Sequence, residues 1–110
     1  MIVALVAAFA FSACGPISPD EALILKIQKY KTYAGADNDG DAVTATFNAD
    51  AFMISYDDID LVLSGKWTVT GGFLIMTGED DWAPGIINND GKDLIISDTD
   101  GMVYSVSAKK

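Results

Sequence analysis

Histidine and arginine are both missing from this chain of 110 residues, and cysteine occurs once. Without histidine the commonest general base and transition-metal ligand is gone, so any acid–base chemistry falls to carboxylates. One cysteine excludes a disulfide within the monomer and any Cys/His metal set. Basic charge is scarce too: seven lysines face sixteen acids, for a net charge of −9. That balance supplies no basic patch for DNA, RNA or anionic lipid headgroups. No phosphate-cradling glycine loop, nucleophile elbow or Asn-x-Ser/Thr sequon occurs. These absences point to a protein that is not an enzyme, with no metal, no cofactor and no nucleic-acid partner.

What is present is a rhythm of short strands. Half of the residues are hydrophobic, enough for the core of one domain. The clearest stretch runs from Ser64 to Thr77, two strands closed by Gly71-Gly72. Its first strand alternates, with Trp67 and Val69 on one face against Lys66, Thr68 and Thr70. Its second is apolar on both faces, Phe73 and Ile75 against Leu74 and Met76. A Gly-Gly pair permits the positive φ of a tight hairpin.

The same idiom recurs along the chain. Val43, Ala45 and Phe47 alternate with Thr44, Thr46 and Asn48, and Asn48-Ala49-Asp50 turns the chain into Ala51 to Tyr56. Asp57-Asp58 marks a bend, after which Ile59, Leu61 and Leu63 point one way. From Gly78 to Asn88 the pattern blurs around Glu79-Asp80-Asp81-Trp82. It returns at Leu94 to Ile96 and at Met102 to Ser107. Glycine follows aspartate in the turns at Gly40, Gly91 and Gly101, as left-handed hairpin positions require. Strands eight to twelve residues apart with turn signals between them indicate an antiparallel sandwich or barrel.

Before the strands, Met1 to Ala13 is apolar apart from Ser12, too short for the about 20 residues of a spanning helix. It suits the apolar region of a secretory signal. Phe11-Ser12-Ala13-Cys14 resembles a bacterial lipobox, which implies a lipoprotein signal peptide over 1–13 and a lipidated Cys14. By the same resemblance, Gly15 implies an outer-membrane address in the bacterial cell envelope. Ser18-Pro19-Asp20-Glu21 starts a helix, with Ser18 as cap and Pro19 at its first position. Two readings follow. Leu23, Ile27, Tyr30 and Ala34 lie on one helical face with Gly35 as a stop, and local rules favour that longer helix. Alternatively the helix stops near Ile24, and Leu25 to Tyr33, rich in β-branched and aromatic residues, is a strand.

Three stretches taken in order resemble the small bacterial lipocalin-like lipoproteins. They are Thr46-Phe47-Asn48-Ala49-Asp50, Gly65 to Thr77, and Asp93 to Gly101. The resemblance covers roughly Leu25 to Ser107. It implies an all-β fold, a small antiparallel up-and-down barrel of about eight short strands, spanning 25–110. Residues 14–24 then form the lipidated cysteine, tether and short helical turn, and Leu25 to Tyr33 becomes the first barrel strand. An eight-stranded barrel holds side chains or one small ligand. Phe47, Phe52, Tyr56, Trp67 and Phe73 turned inward would fill it and leave a ligand to the rim, where Trp82, Tyr56, Phe52 and Tyr104 are the candidate binding residues.

Asp37, Asp39 and Asp41 alternate like the opening of a calcium loop, but an EF-hand wants glycine at 42 and glutamate at 48, where this chain has Ala42 and Asn48. A solvated turn is the simpler reading. Glu79, Asp80 and Asp81 are adjacent, so nothing separates them into proton donor and nucleophile. The leading expectation is a lipid-anchored envelope barrel for a small apolar or amphipathic ligand. The alternatives are a protein-interaction or inhibitor module of the same fold, with a protein partner in the envelope, and a calcium-stabilised surface domain.

Overall fold

A computed structural model describes residues 17–109. The expected signal peptide over 1–13 and the expected lipidation site Cys14 lie outside the described residues. One helix, α1 (Pro19–Tyr30), precedes eight strands: β1 (Thr32–Asp37), β2 (Ala42–Asn48), β3 (Ala51–Tyr56), β4 (Val62–Thr70), β5 (Phe73–Gly78), β6 (Gly85–Asn88), β7 (Asp93–Ser97) and β8 (Val103–Ala108). Each strand pairs with its neighbours in sequence, and β8 closes on β1, giving an up-and-down antiparallel barrel.

Closure depends on Gly35, which sits opposite Val106 of β8 and Val43 of β2. A Cβ built on Gly35 would lie 1.9 Å from the Ser105 carbonyl oxygen, so the seam forms only where a side chain is missing. Gly65 does the same for β4, where a Cβ would lie 2.0 Å from the Thr77 carbonyl oxygen. The Gly71-Gly72 hairpin forms as expected, with φ of 62° and 85°. Gly40, Gly91 and Gly101 are all left-handed, at 89°, 89° and 100°.

Alternation sets the core. Val43, Ala45, Phe47, Phe52, Ile54, Trp67, Val69, Leu74 and Met76 all face inward and are buried. Phe73, expected inside, is 49% exposed. The register explains why: Val69 pairs with Leu74 and Thr70 with Phe73, and directly opposed residues share a face. With Val69 inside, Leu74 must be inside and Phe73 outside. Ile59 and Leu61 are also exposed, because the chain bends from Asp57 to Asp60 and β4 begins only at Val62.

The expected first strand over Leu25 to Tyr33 is replaced by helix as far as Tyr30. Ser18 Oγ accepts the Glu21 N–H at 3.1 Å, and Pro19 opens the first turn. The stop is Lys31 at φ 65°, whose N–H reaches the Ile27 carbonyl at 2.8 Å. Burial holds the helix as far as Tyr30, since Ile27 is fully buried against one end of the barrel, whereas Ala34 and Gly35, the last turn and stop of the longer helical reading, lie in β1. Asp20 accepts the N–H groups of Gly71 and Gly72 at 2.9 and 2.8 Å, and Gln28 donates to the Ala49 carbonyl at 3.0 Å. Lys26 pairs with Asp90. The helix thus closes this end by gripping all three of its strand-to-strand turns, and Gly35 is left to the seam.

Candidate functional site

The opposite end, here the mouth, carries the loops β1–β2, β3–β4, β5–β6 and β7–β8. Phe52, Tyr56 and Tyr104 from three strand positions and Trp82 from the β5–β6 loop, the four expected ligand residues, come together there. Phe52 lies edge-on to Trp82, with ring centres 5.7 Å apart, and Trp82 leans on Tyr104 at 6.2 Å. Tyr104 meets Tyr56 edge-on at 6.2 Å, and their hydroxyls are 3.2 Å apart. Phe52 and Tyr104 are buried, while Tyr56 and Trp82 are half-buried.

Trp82 reaches this place because β6 is short. Only Phe73 and Leu74 of β5 pair with β6, so above Leu74 that side of β5 has no strand partner. The loop from Glu79 to Pro84 crosses the opening and fastens to the far side. Trp82 bridges to Asp98, Ala83 N–H donates to the Ser97 carbonyl at 2.9 Å, and Thr99 N–H donates to the Asp81 carbonyl at 3.0 Å. Trp82 Nε1 is shielded from solvent and has no hydrogen-bond partner. An orphaned donor of this kind costs about 1–3 kcal/mol, and an acceptor brought to the mouth would relieve it.

Asp37 was legible in the sequence only as one of three alternating acids. It is the buried polar group of the site, 6% exposed. One oxygen accepts the N–H groups of Asp39 and Asp41, both at 2.9 Å; the other accepts the Tyr56 hydroxyl at 2.8 Å. Burial alone would raise its pKa. The hydrogen bonds from Asp41, Tyr56, Asp39 and Gly40 outweigh that and hold the carboxyl below the usual carboxylate value. Tyr56 moves the other way: burial, then its hydrogen bonds to Tyr104 and Asp37, push its hydroxyl far above the ordinary tyrosine value. Tyr104 is raised as well, by burial and, against a lowering contact from Tyr56, by the charges of Asp98, Asp37 and Asp80.

The carboxylates of Asp37, Asp39 and Asp41 have oxygens within 4.8 Å of one another. The β7–β8 loop takes the same backbone shape with two acids in place of three. There Asp98 accepts the N–H groups of Asp100 and Met102, both at 2.9 Å, and its own N–H donates to the Met102 carbonyl at 3.0 Å, as Asp37 does to Asp41. Met102 stands where Asp41 does, so the loop shape needs only the first aspartate. Asn38 locks the two loops together, donating to the Gly101 carbonyl at 3.2 Å and accepting from Val103 at 3.3 Å.

Below the mouth the barrel is packed. Tyr33 meets Phe47 at 5.5 Å and Phe47 meets Trp67 at 5.3 Å, both edge-on. Two concavities lie outside the wall: one of about 400 Å³ at the helix end beside Tyr30, Lys92 and Lys109, and one of about 260 Å³ at the mouth end between Leu61–Ser64 and Glu79–Asp80.

Charge divides along the barrel axis. The mouth holds Asp37, Asp39 and Asp41, Asp57, Asp58 and Asp60, Glu79, Asp80 and Asp81, and Asp98 and Asp100, eleven of the sixteen acids. None of the lysines among the described residues stands in a mouth loop; Lys26, Lys29, Lys31, Lys92 and Lys109 cluster at the helix end. No protein-family model matches the chain, and neither a curated protein nor a solved structure is significantly similar to it.

Proposed function

We propose that the protein is a lipocalin-like, non-enzymatic envelope lipoprotein whose barrel binds a small amphipathic molecule at its mouth. The observation that carries this reading is the convergence of Phe52, Trp82, Tyr104 and Tyr56 at one end. A packed interior leaves the apolar part of a ligand to that aromatic rim, with Trp82 displaced or stacked on it. The surrounding carboxylates favour a polar end that is cationic and disfavour a fatty-acid anion. The orphaned Trp82 N–H favours a ligand that also offers an acceptor. Lipid on Cys14 would anchor the helix end, since Gly15 to Ser18 span about 14 Å at most when extended, and the mouth would face away from the membrane.

Tryptophan fluorescence tests this directly. A long-chain alkylammonium ion should shift the emission, and a fatty acid of equal chain length should do so only weakly. Trp82→Leu should abolish the response while Trp67 continues to report an intact core. No change with either amphiphile or with an apolar dye would remove the ligand-binding reading. An unmodified Cys14 in protein taken from its native membrane, read by mass spectrometry, would remove the anchor.

A further inference from the structure

A second feature of the mouth end lies outside the aromatic rim and does not depend on the ligand reading. Strand β4 outruns β5: the β4–β5 pairing ends at Gly65 opposite Gly78, whereas β4 continues to Val62 on the β3 side. Val62, Leu63 and Ser64 therefore have a strand on one side only, and their free edge borders the 260 Å³ groove. Exposed aliphatic side chains gather here. Ile59, Leu61 and Val62 are 56%, 43% and 54% exposed, and Met53, opposite Ser64 on the neighbouring strand, is 45% exposed. Glu79 and Asp80 form the other wall, and Asp57, Asp58 and Asp60 flank the apolar residues.

We infer that this edge docks an extended, lysine- or arginine-bearing apolar peptide segment of a basic partner protein, added as a strand beside Val62–Ser64. Three properties of the groove select that occupant. Open backbone groups on a strand edge are satisfied by another extended backbone, and natural proteins otherwise cover or charge such edges. Exposed aliphatic side chains give apolar residues on the incoming strand a surface to cover. Carboxylates on both flanks, with no lysine in the mouth loops, complement cations and repel anions. The same charge opposes a second copy of this chain docked mouth to mouth, where acid would meet acid.

The test uses the intact protein and synthetic peptides alternating lysine with valine and leucine. The expected result is binding of the lysine peptide and none of its glutamate counterpart. Affinity should fall about tenfold when salt rises from about 0.1 M to about 1 M, which shortens the screening length from about 10 Å to about 3 Å. Methylating alternate backbone nitrogens of the peptide should abolish binding if a strand is added. The pair Glu79→Gln with Asp80→Asn should weaken binding about tenfold, equivalent to about 1.4 kcal/mol, whereas Asp39→Asn with Asp41→Asn, on the other side of the mouth, should change it far less. Equal losses from the two pairs, or undiminished binding of the methylated peptide, would overturn the groove in favour of diffuse attraction. Loss of peptide binding in Trp82→Leu would overturn it in favour of the aromatic rim. If the lysine peptide fails to bind at low salt while alkylammonium still shifts the fluorescence, the docking edge is wrong and the ligand reading stands.

Discussion

The hydroxyl of Tyr56 donates to the carboxylate of Asp37 at 2.8 Å, joining the last residue of β3 to the last residue of β1, where the loop to β2 begins. Both partners are shifted in the directions that hold a neutral phenol and an ionised carboxylate together at neutral pH. The bond also fixes the Tyr56 ring beside Tyr104, so the aromatic rim and the acidic loops are one assembly.

That bond predicts the acid limb of stability. Asp37 has a native pKa below its unfolded value, so between the two values the unfolded chain binds more protons and stability rises with pH. The contribution is complete above the ordinary carboxylate range and is lost as pH falls through it towards the lower native value. Asp37→Asn keeps an oxygen for the Asp39 and Asp41 N–H groups but cannot titrate. Its unfolding free energy, measured by urea at several pH values, should flatten in the acid limb relative to the parent. Tyr56→Phe should shift the parent's acid transition upward without removing it. An unchanged acid limb in Asp37→Asn would show that other carboxylates govern it.

Alkali should act through the tyrosines. Burial, with Tyr30 adding a smaller effect, raises Tyr33, whose hydroxyl donates to the Gly91 carbonyl at 2.6 Å. A raised native pKa gives stability that is complete below the ordinary tyrosine value of about 10 and is lost as pH climbs above it. Tyrosinate absorbance should therefore appear for these buried rings together with loss of the circular-dichroism signal. Early, smooth ionisation of every tyrosine with the fold intact would contradict the packing of Tyr33 and Tyr56.

Glycine substitutions separate closure from turn strain. Gly35→Ala places a methyl group 1.9 Å from the Ser105 backbone oxygen, which β8 can relieve only by leaving β1. The barrel should fail to close and the protein should be insoluble or unfolded. Gly40→Ala meets no atom within 4 Å and has only its φ of 89° to sustain, a cost of about 1–2 kcal/mol. It should fold and melt several degrees lower.

At Trp82, ring and N–H can be separated. Trp82→Ala removes the contacts to Phe52 and Tyr104 and should cost about 3 kcal/mol in denaturant unfolding. Trp82→Phe keeps a ring and deletes the orphaned donor, so gain and loss should cancel to within about 1 kcal/mol. A cost for Trp82→Phe equal to that of Trp82→Ala would show that the indole N–H does find a partner.

From β2 onward, strand order and most of the inward set were readable because alternation and Asp-Gly turns act locally. Phe73 was also within reach: a two-residue turn at Gly71-Gly72 forces Val69 and Leu74 to share a face, whereas β5 taken alone is apolar on both. The helix was harder. Ile27 and Tyr30 suit either a strand or a helix, and what decides is tertiary: the open end of the barrel takes Ile27, and the turns at Gly71, Ala49 and Asp90 take Asp20, Gln28 and Lys26. Its stop at Lys31 carries no glycine to announce it. The four aromatic rim residues could be named from their strands and loop, but Asp37 could not be singled out from Asp39 and Asp41. What distinguishes it is its burial, the N–H groups of Asp39 and Asp41 that it accepts, and its bond to Tyr56, nineteen residues away.

The paired loops make the last prediction, on metal dependence. Asp37 and Asp98 each gather two backbone N–H groups at 2.9 Å, and the Asp98 loop does so with Met102 at the position of Asp41. If those bonds make the loop, the third carboxylate is dispensable. Asp41→Met should then fold normally and melt at or slightly above the parent, because one of three crowded negative charges is gone. Adding millimolar calcium should leave both proteins' melting temperatures where they were. A calcium-dependent rise in the parent that Asp41→Met loses would instead mean that the three acids close around an ion, and the calcium-stabilised reading of the sequence would regain the loop.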